Sequence, residues 1–195
     1  TPLSCRSVLR LLTEAGLPAG WAQLLLTSNE VTEKLVTDRR VSFMTFIGSA
    51  KVGWHLRSQL APGAACALEN GGVAPVIVDP TADLDDALPL LVRGGFYHAG
   101  QVCVSVQRIY VHHSIASDFT ERFVQAAQAL RTGNSLDPET DVGPLIHRDE
   151  LTRVHAWVQE AVAAGATLLC GGHALGPTTY APTVLPDPPD SARVS

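Results

Sequence analysis

Apolar runs of strand length alternate with amphipathic, helix-length segments in the first part of the chain. The runs AQLLLT (22–27), VSFMTFI (41–47) and AACALE (64–69) predict strands, because each is short and bounded by turn residues. Between them, helical periodicity and an initial serine predict helices over 28–37 and 49–60. Strands that alternate with helices pair in parallel, so this part of the chain predicts an open α/β sheet.

The same alternation restarts after Gly71 and Gly72. It predicts further strands at 75–79, 108–113 and 166–172, and further helices from about Asp83, over 115–131 and over 148–164. Pro89 predicts either an early position in its helix or a kink. We place the domain boundary at the glycine pair, which divides the chain into residues 1–70 and 71–195.

Composition narrows the class of protein. The chain has 195 residues, 46% of them hydrophobic and 17% charged, which is typical of a globular protein. Its net charge of −5, without a basic cluster, argues against nucleic acid as a partner. No apolar run reaches membrane-spanning length and no signal peptide is recognisable, so we expect no membrane partner and a cytoplasmic location. The first residue is not methionine, and we expect a segment of a longer protein.

The cysteines indicate a reducing compartment. All four are scattered without CxxC pairing, which argues against a disulfide framework and against a zinc site, so we expect no metal. Cys5 and Cys170 are predicted to be core thiols. Cys103, in the stretch GQVCVS, has two open interpretations, a small buried side chain or a nucleophile displayed by a turn.

Two other positions have chemical potential. Glu69 ends an apolar strand and precedes Asn70, Gly71 and Gly72, so it is either a general base in a crevice or a solvated strand end. Gly48 and Ser49 join a strand to a helix, whose first amides can bind phosphates, although such a turn is often only a turn.

A set of motifs in a fixed order identifies a protein family far more specifically than any one motif taken alone. In chain order these motifs are FIGSAKVG, LENGG, PVIVDPTADLDDA, GQVC with Arg108, DVGPLI and GATLLCGG. This succession resembles the NAD(P)-dependent aldehyde dehydrogenase superfamily over the whole chain, which corresponds to the middle portion of a typical member. The resemblance implies a three-layer α/β/α fold. Residues 1–70 would be the C-terminal part of a Rossmann-like NAD(P)-binding domain, and residues 71–195 would be part of the catalytic domain.

The resemblance also implies roles for individual residues. Cys103 would be the nucleophile that attacks a small-molecule aldehyde, its backbone N–H would help to bind the oxyanion, and Glu69 would activate the hydrolytic water. NAD or NADP would be bound by Gly48, Ser49, Val52, Asn70 and Gly71. The resemblance also implies that the full-length protein is a homo-oligomer, either a dimer or a tetramer. Further family motifs fall outside this chain, so we expect the isolated chain to have little or no dehydrogenase activity.

Three departures from the family pattern keep other functions open. Asn70 and Val73 stand where the family has leucine and lysine, and His98 stands where it often has asparagine. One alternative is a CoA-acylating relative, against which Glu69 argues, and another is a non-catalytic member with a structural role. His98 also suggests a Cys–His dyad with Cys103, although a packing or surface histidine explains it equally well.

Overall fold

The chain forms two compact units, Thr1–Asn70 and Gly71–Ser195, in a computed structural model that describes residues 2–195. We refer to them as the N-terminal unit and the C-terminal unit. Each combines helices with one pair of parallel strands, so the predicted α/β class is confirmed. Within residues 2–195, no helix has the length and apolar character needed to cross a membrane.

The N-terminal unit contains three helices and a parallel strand pair. Its elements are α1 (Pro2–Glu14), α2 (Asn29–Val36), β1 (Phe43–Gly48), α3 (Ala50–Ser58) and β2 (Ala65–Asn70). The strands run in register from Phe43 opposite Ala65 to Gly48 opposite Asn70. Gly48 and Asn70 therefore lie at the same carboxyl end of the pair.

Serine caps begin two of these helices, as the sequence predicts. The Ser28 and Ser49 hydroxyls accept hydrogen bonds of 3.4 Å from the backbone amides of Val31 and Val52, respectively. Each hydroxyl satisfies an amide that has no partner within its own helix. These local contacts fix where α2 and α3 start.

The core of the N-terminal unit is small. Met44 on β1 and Leu56 on α3 are its buried apolar side chains among the residues described. Along β1 exposure alternates, so Phe43 and Ile47 face outward, with Ile47 78% exposed. One face of this strand pair therefore has an apolar surface in contact with solvent.

The C-terminal unit has a larger core. Its elements are β3 (Val76–Val78), α4 (Leu84–Phe96), a short turn (Tyr97–Gly100), β4 (Ile109–Val111), α5 (Ala116–Gln128) and α6 (Arg148–Ala163). β3 and β4 are parallel, with Val76 opposite Ile109. The main core lies between this pair, α4 and α5, and consists of Val78, Leu88, Leu91, Val92, Phe119 and Phe123.

Two predicted strands are wrong. Residues 22–27 are irregular and pair with no other strand in the described part of the chain, and both Leu25 and Leu26 are exposed. Residues 166–172 make only an isolated bridge, between Cys170 and Val184. Gly171 and Gly172 have φ of 74° and 76°, and this left-handed backbone ends any extended pairing.

Two smaller expectations are also corrected. Pro89 lies inside α4, past its first turn, so the early position is wrong, while a kink there stays a prediction; the helix continues to Phe96. Because proline has no N–H, the Asp85 carbonyl lacks the hydrogen bond that residue 89 would otherwise donate. Cys5 is exposed on α1 and is not a core thiol, because α1 buries none of its side chains.

Candidate active site

Cys103 lies in the loop between α4 and β4, and its side chain is exposed. The chain enters this loop through a left-handed run, with φ of 50° at His98, 55° at Ala99 and 73° at Gly100. Residues with a Cβ atom adopt this conformation at a cost of about 1 kcal/mol or more each. Contacts elsewhere in the loop must therefore hold the backbone in this path.

Ser105 anchors the loop on the C-terminal side of Cys103. Its side chain is completely buried, and its hydroxyl lies 3.1 and 3.2 Å from the carbonyl oxygens of Gly94 and Gly95 at the end of α4. The same hydroxyl accepts a hydrogen bond of 2.6 Å from the Gln107 side chain. The Val106 amide also donates to the Gly94 carbonyl at 3.0 Å. This side of the loop is thus fixed to α4.

Gln101 makes the contacts on the N-terminal side of Cys103. Its Nε2 donates to the His98 carbonyl at 2.8 Å and reaches the Pro144 carbonyl at 3.4 Å. Its Oε1 accepts a hydrogen bond of 2.8 Å from the Ile146 amide. A single side-chain amide therefore joins the GQVC stretch to the DVGPLI stretch more than forty residues away.

Gly72 passes directly beside the Cys103 peptide. A Cβ atom at position 72 would lie 2.7 Å from the Cys103 carbonyl oxygen, which is closer than such contacts are found. At Gly71, by contrast, a Cβ atom would meet nothing within 4 Å. Of this glycine pair, Gly72 is thus required by packing, whereas Gly71, which was predicted to bind the cofactor, is surrounded by open space.

The four cysteines lie in different environments. Cys170 is buried, as predicted, and burial raises the pKa of its thiol, which keeps it protonated and unreactive. Cys66 is half-buried on the inner face of β2, and Cys5 is exposed on a helix. Cys103 is the exposed thiol that lies on a turn, where a substrate carbonyl could approach its sulfur.

His98 does not form the suggested dyad. Its ring lies against that of Tyr97, with the ring centroids 5.1 Å apart. Within residues 2–195, no hydrogen bond joins His98 to Cys103. The structure therefore assigns His98 to the left-handed entry of the loop.

Glu69 and Asn70 lie at the carboxyl end of β2 but point in different directions. Glu69 is exposed on the outer face of the strand, in register with Ile47. Asn70 points inward, and its Oδ1 is buried without a hydrogen-bond partner in the described chain. That oxygen lies 2.8 Å from where a Cβ atom on Gly53 would be. The Asn70 side chain thus packs against α3, while the Glu69 carboxylate faces solvent.

The Gly48–Ser49 turn could hold a phosphate group. Ser49 precedes α3, and the first amides of a helix have no partner within it. These amides and the positive end of the helix dipole favour an anion. Ser49 Oγ accepts from the Val52 amide, so its own proton remains available to donate. Because these donors lie together at the carboxyl end of β1, the residues fit a dinucleotide phosphate.

The described residues contain no cluster of three or more histidine, cysteine, aspartate or glutamate side chains that could bind a metal ion.

The profile of the aldehyde dehydrogenase family matches residues 1–195.

The chain belongs to the aldehyde dehydrogenase family.

Individual relatives agree with this family assignment. The 3-sulfolactaldehyde dehydrogenase of Priestia aryabhattai is 40% identical over 195 residues, which is 100% of this chain and 40% of that protein. Aldehyde dehydrogenase 21 of Physcomitrella patens, solved with its product succinate, has a TM-score of 0.92 and 37% identity and covers 100% of this chain and 40% of its own. A glyceraldehyde-3-phosphate dehydrogenase of Methanocaldococcus jannaschii, solved with NADP, has a TM-score of 0.87 and 40% identity and covers 94% and 41%.

These comparisons confirm the resemblance and the aldehyde dehydrogenase fold. The chain spans about 40% of the length of the curated relatives it matches. Sequence reasoning did not single out Gln101 or Ser105, both of which hold the Cys103 loop of this aldehyde dehydrogenase chain. Their proximity to Cys103 was the only signal, since their partners are distant in sequence or belong to another element.

Proposed function

We propose that the whole protein oxidises an aldehyde to a carboxylate, with NAD or NADP as the hydride acceptor. The observation that supports this proposal best is the Cys103 thiol, which is exposed on a turn whose two sides are anchored, in a chain of the aldehyde dehydrogenase family. In this proposal residues 1–70 belong to the cofactor-binding domain and residues 71–195 to the catalytic domain.

Cys103 begins the proposed reaction. Its thiolate adds to the aldehyde carbon, forming a C–S bond, and the carbonyl oxygen becomes an oxyanion that accepts a hydrogen bond from the Cys103 amide. Removing one such donor lowers rates by about 10²–10³-fold in related acyl chemistry. The product of this step is a thiohemiacetal on Cys103.

A bound nicotinamide cofactor would supply the hydride acceptor, and loss of hydride from the thiohemiacetal carbon would leave a thioester on Cys103. Gly48, Ser49 and Val52 would hold its phosphates at the start of α3. Asn70 and Gly71 would contribute through their backbone, since the Asn70 side chain packs inward and the space around Gly71 is open.

Glu69 completes the proposed cycle. Its carboxylate takes a proton from a water molecule, and the water oxygen adds to the thioester carbon. The C–S bond then breaks, which releases the carboxylic acid and restores the Cys103 thiolate. In total, one aldehyde, one water and one oxidised cofactor give one carboxylate, one reduced cofactor and two protons.

The test is an assay of the whole protein with NAD and NADP and a set of aldehydes that includes 3-sulfolactaldehyde and glyceraldehyde 3-phosphate. Cys103→Ser should abolish formation of the reduced cofactor. Glu69→Gln should retain a single rapid turnover but slow the steady state by about 10²–10⁴-fold. Cys5→Ser, which changes an exposed thiol on a helix, is the matched control and should retain activity.

Other outcomes would contradict the proposal. Turnover that requires CoA and is unaffected by Glu69→Gln would indicate the acylating alternative. No turnover, combined with no protection of Cys103 from alkylation by aldehyde or cofactor, would indicate a non-catalytic protein. Two further expectations stay predictions. A measurement of molecular size tests whether the whole protein is an oligomer, and the same assay tests whether the isolated chain is inactive.

A further inference from the structure

Gln101 joins the Cys103 loop to a distant part of the C-terminal unit. Its side-chain amide uses both ends, with Nε2 at 2.8 Å from the His98 carbonyl and 3.4 Å from that of Pro144. Oε1 accepts from the Ile146 amide at 2.8 Å. The donors and acceptor of one side chain are thus engaged on two separate stretches of backbone.

The stretch that Gln101 contacts is itself well anchored. Val142 and Leu145 are buried, and the Leu145 amide donates to the Thr178 carbonyl at 2.7 Å. The Val142 amide donates to the Arg131 carbonyl at 3.1 Å. Gln101 therefore connects the loop to a fixed point of the C-terminal unit.

The left-handed run gives this connection its importance. His98 and Ala99 adopt positive φ, which residues with a Cβ atom leave when contacts release them. Gln101, which lies two residues before Cys103, donates a side-chain hydrogen bond directly to the His98 carbonyl. We propose that Gln101 is a positioning residue that holds the Cys103 sulfur in the orientation needed for attack on the aldehyde, an inference that rests on the proposed function.

Gln101 differs from Ser105 in what its loss would do to folding. Ser105 is completely buried, so its removal leaves buried groups without partners. Gln101 is exposed, so water can replace its contacts to His98, Pro144 and Ile146. Truncating Gln101 should therefore alter the loop geometry without unfolding the protein.

The experiment compares Gln101→Ala and Gln101→Met with wild type in the whole protein. Gln101→Met preserves the length of the side chain and removes its hydrogen bonds. We expect both variants to lower the single-turnover rate of reduced-cofactor formation by about tenfold or more, because a displacement of about 1 Å can cost 10²-fold. The KM for the cofactor should stay within about twofold, and the melting temperature within about 2 °C.

Two further variants sharpen the result. Gln101→Glu preserves the acceptor for the Ile146 amide and should recover part of the lost rate. Gln159→Ala, which truncates an exposed glutamine on α6, is the matched control and should leave the rate unchanged. A wild-type rate in Gln101→Met would overturn the proposal, as would a cofactor KM that rises while the single-turnover rate stays constant.

Amide hydrogen exchange separates this proposal from the proposed function. Loss of Gln101 should speed exchange of the Ile146 amide by about tenfold, since its acceptor is gone. If wild type forms no reduced cofactor, the proposed function fails, and exchange at Ile146 and Gln101 then decides whether the connection holds the loop. Unchanged exchange at both amides in Gln101→Ala would refute it.

Discussion

The two units bury their apolar residues to very different extents. In the described part of the N-terminal unit, the buried apolar side chains are Met44 and Leu56, while α1 and α2 bury none of theirs. In the C-terminal unit, α4 and α5 contribute Leu88, Leu91, Val92, Phe119 and Phe123 to one core. Hydrophobic burial is the largest stabilising contribution to folding, so the C-terminal unit carries more of its own stability.

Because the two units differ in this way, the candidate residues of each unit are held in place by different interactions. Ser49 and Glu69 depend on a helix cap and on the end of a strand pair with one exposed face. Cys103 depends on a loop fixed to α4, which is part of the larger core. Substitutions in the two units should therefore act through different interactions and with different magnitudes.

The largest expected effect comes from the larger core. Phe123→Ala should destabilise the C-terminal unit by about 3–5 kcal/mol, because Phe123 stacks on Phe119 with centroids 5.6 Å apart and leaves a cavity when truncated. Met44→Ala, its counterpart in the N-terminal unit, should cost about 2 kcal/mol. Hydrogen exchange resolved by unit measures both, and equal losses would contradict the comparison.

A stabilising change is expected at Asn70. Asn70→Leu should raise the stability of the N-terminal unit by about 1–3 kcal/mol, since it removes a buried amide oxygen that has no hydrogen-bond partner. Hydrogen exchange of the α3 amides, next to which the Asn70 side chain packs, measures the change. Asn70→Ala removes the same oxygen but fills less space, so it should gain less, and a loss of stability in Asn70→Leu would mean that the oxygen has a partner in solution.

A smaller loss is expected at the start of α3. Ser49→Ala should lower the stability of this helix by about 1 kcal/mol, because the Val52 amide loses its acceptor. Ser49→Gly should cost only a few tenths of a kcal/mol, which makes it the control for the cap itself. Exchange of the α3 amides distinguishes the two variants, and equal protection in both would rule out the cap.

The smallest effect is a pH dependence near the C-terminal end. The Arg193 guanidinium donates from Nε to Glu160 at 2.7 Å and holds the pKa of that carboxyl below its usual range. A lowered pKa means that the contribution is present above the unfolded value, about 4.3, and is lost as the pH falls through the folded value. Protection of the Ala192 amide should therefore decrease with acid in wild type and lose this dependence in Glu160→Gln.

The sequence was most informative where structure depends on local chemistry. The serines at 28 and 49 and Asp83 begin helices as their residue types predict, because capping involves only the next two or three amides. The apolar run at 41–47 forms most of β1, because it pairs in parallel with β2. The run at 22–27 is also rich in apolar residues but pairs with no other strand in the described part of the chain, and composition alone carries no information about pairing.

The candidate site shows the same division. Cys103 and Glu69 could be selected because their residue types and neighbouring glycines are typical of a family pattern. Gln101 and Ser105 could not be selected, because their partners are set by tertiary contacts over about ten to forty-five residues. The exposure of Cys5 likewise depends on what covers α1, which helical periodicity does not determine.

The approach of Gly72 to the Cys103 carbonyl determines which substitutions position 72 can tolerate. In a library that substitutes every codon in turn, position 72 should tolerate glycine alone, because any side chain would displace the peptide that carries the thiol. Position 71 should accept small residues in a selection for folding and reject them only in a selection for cofactor use. Two adjacent glycines would then differ in the substitutions they tolerate, one because of close packing and the other because of cofactor binding.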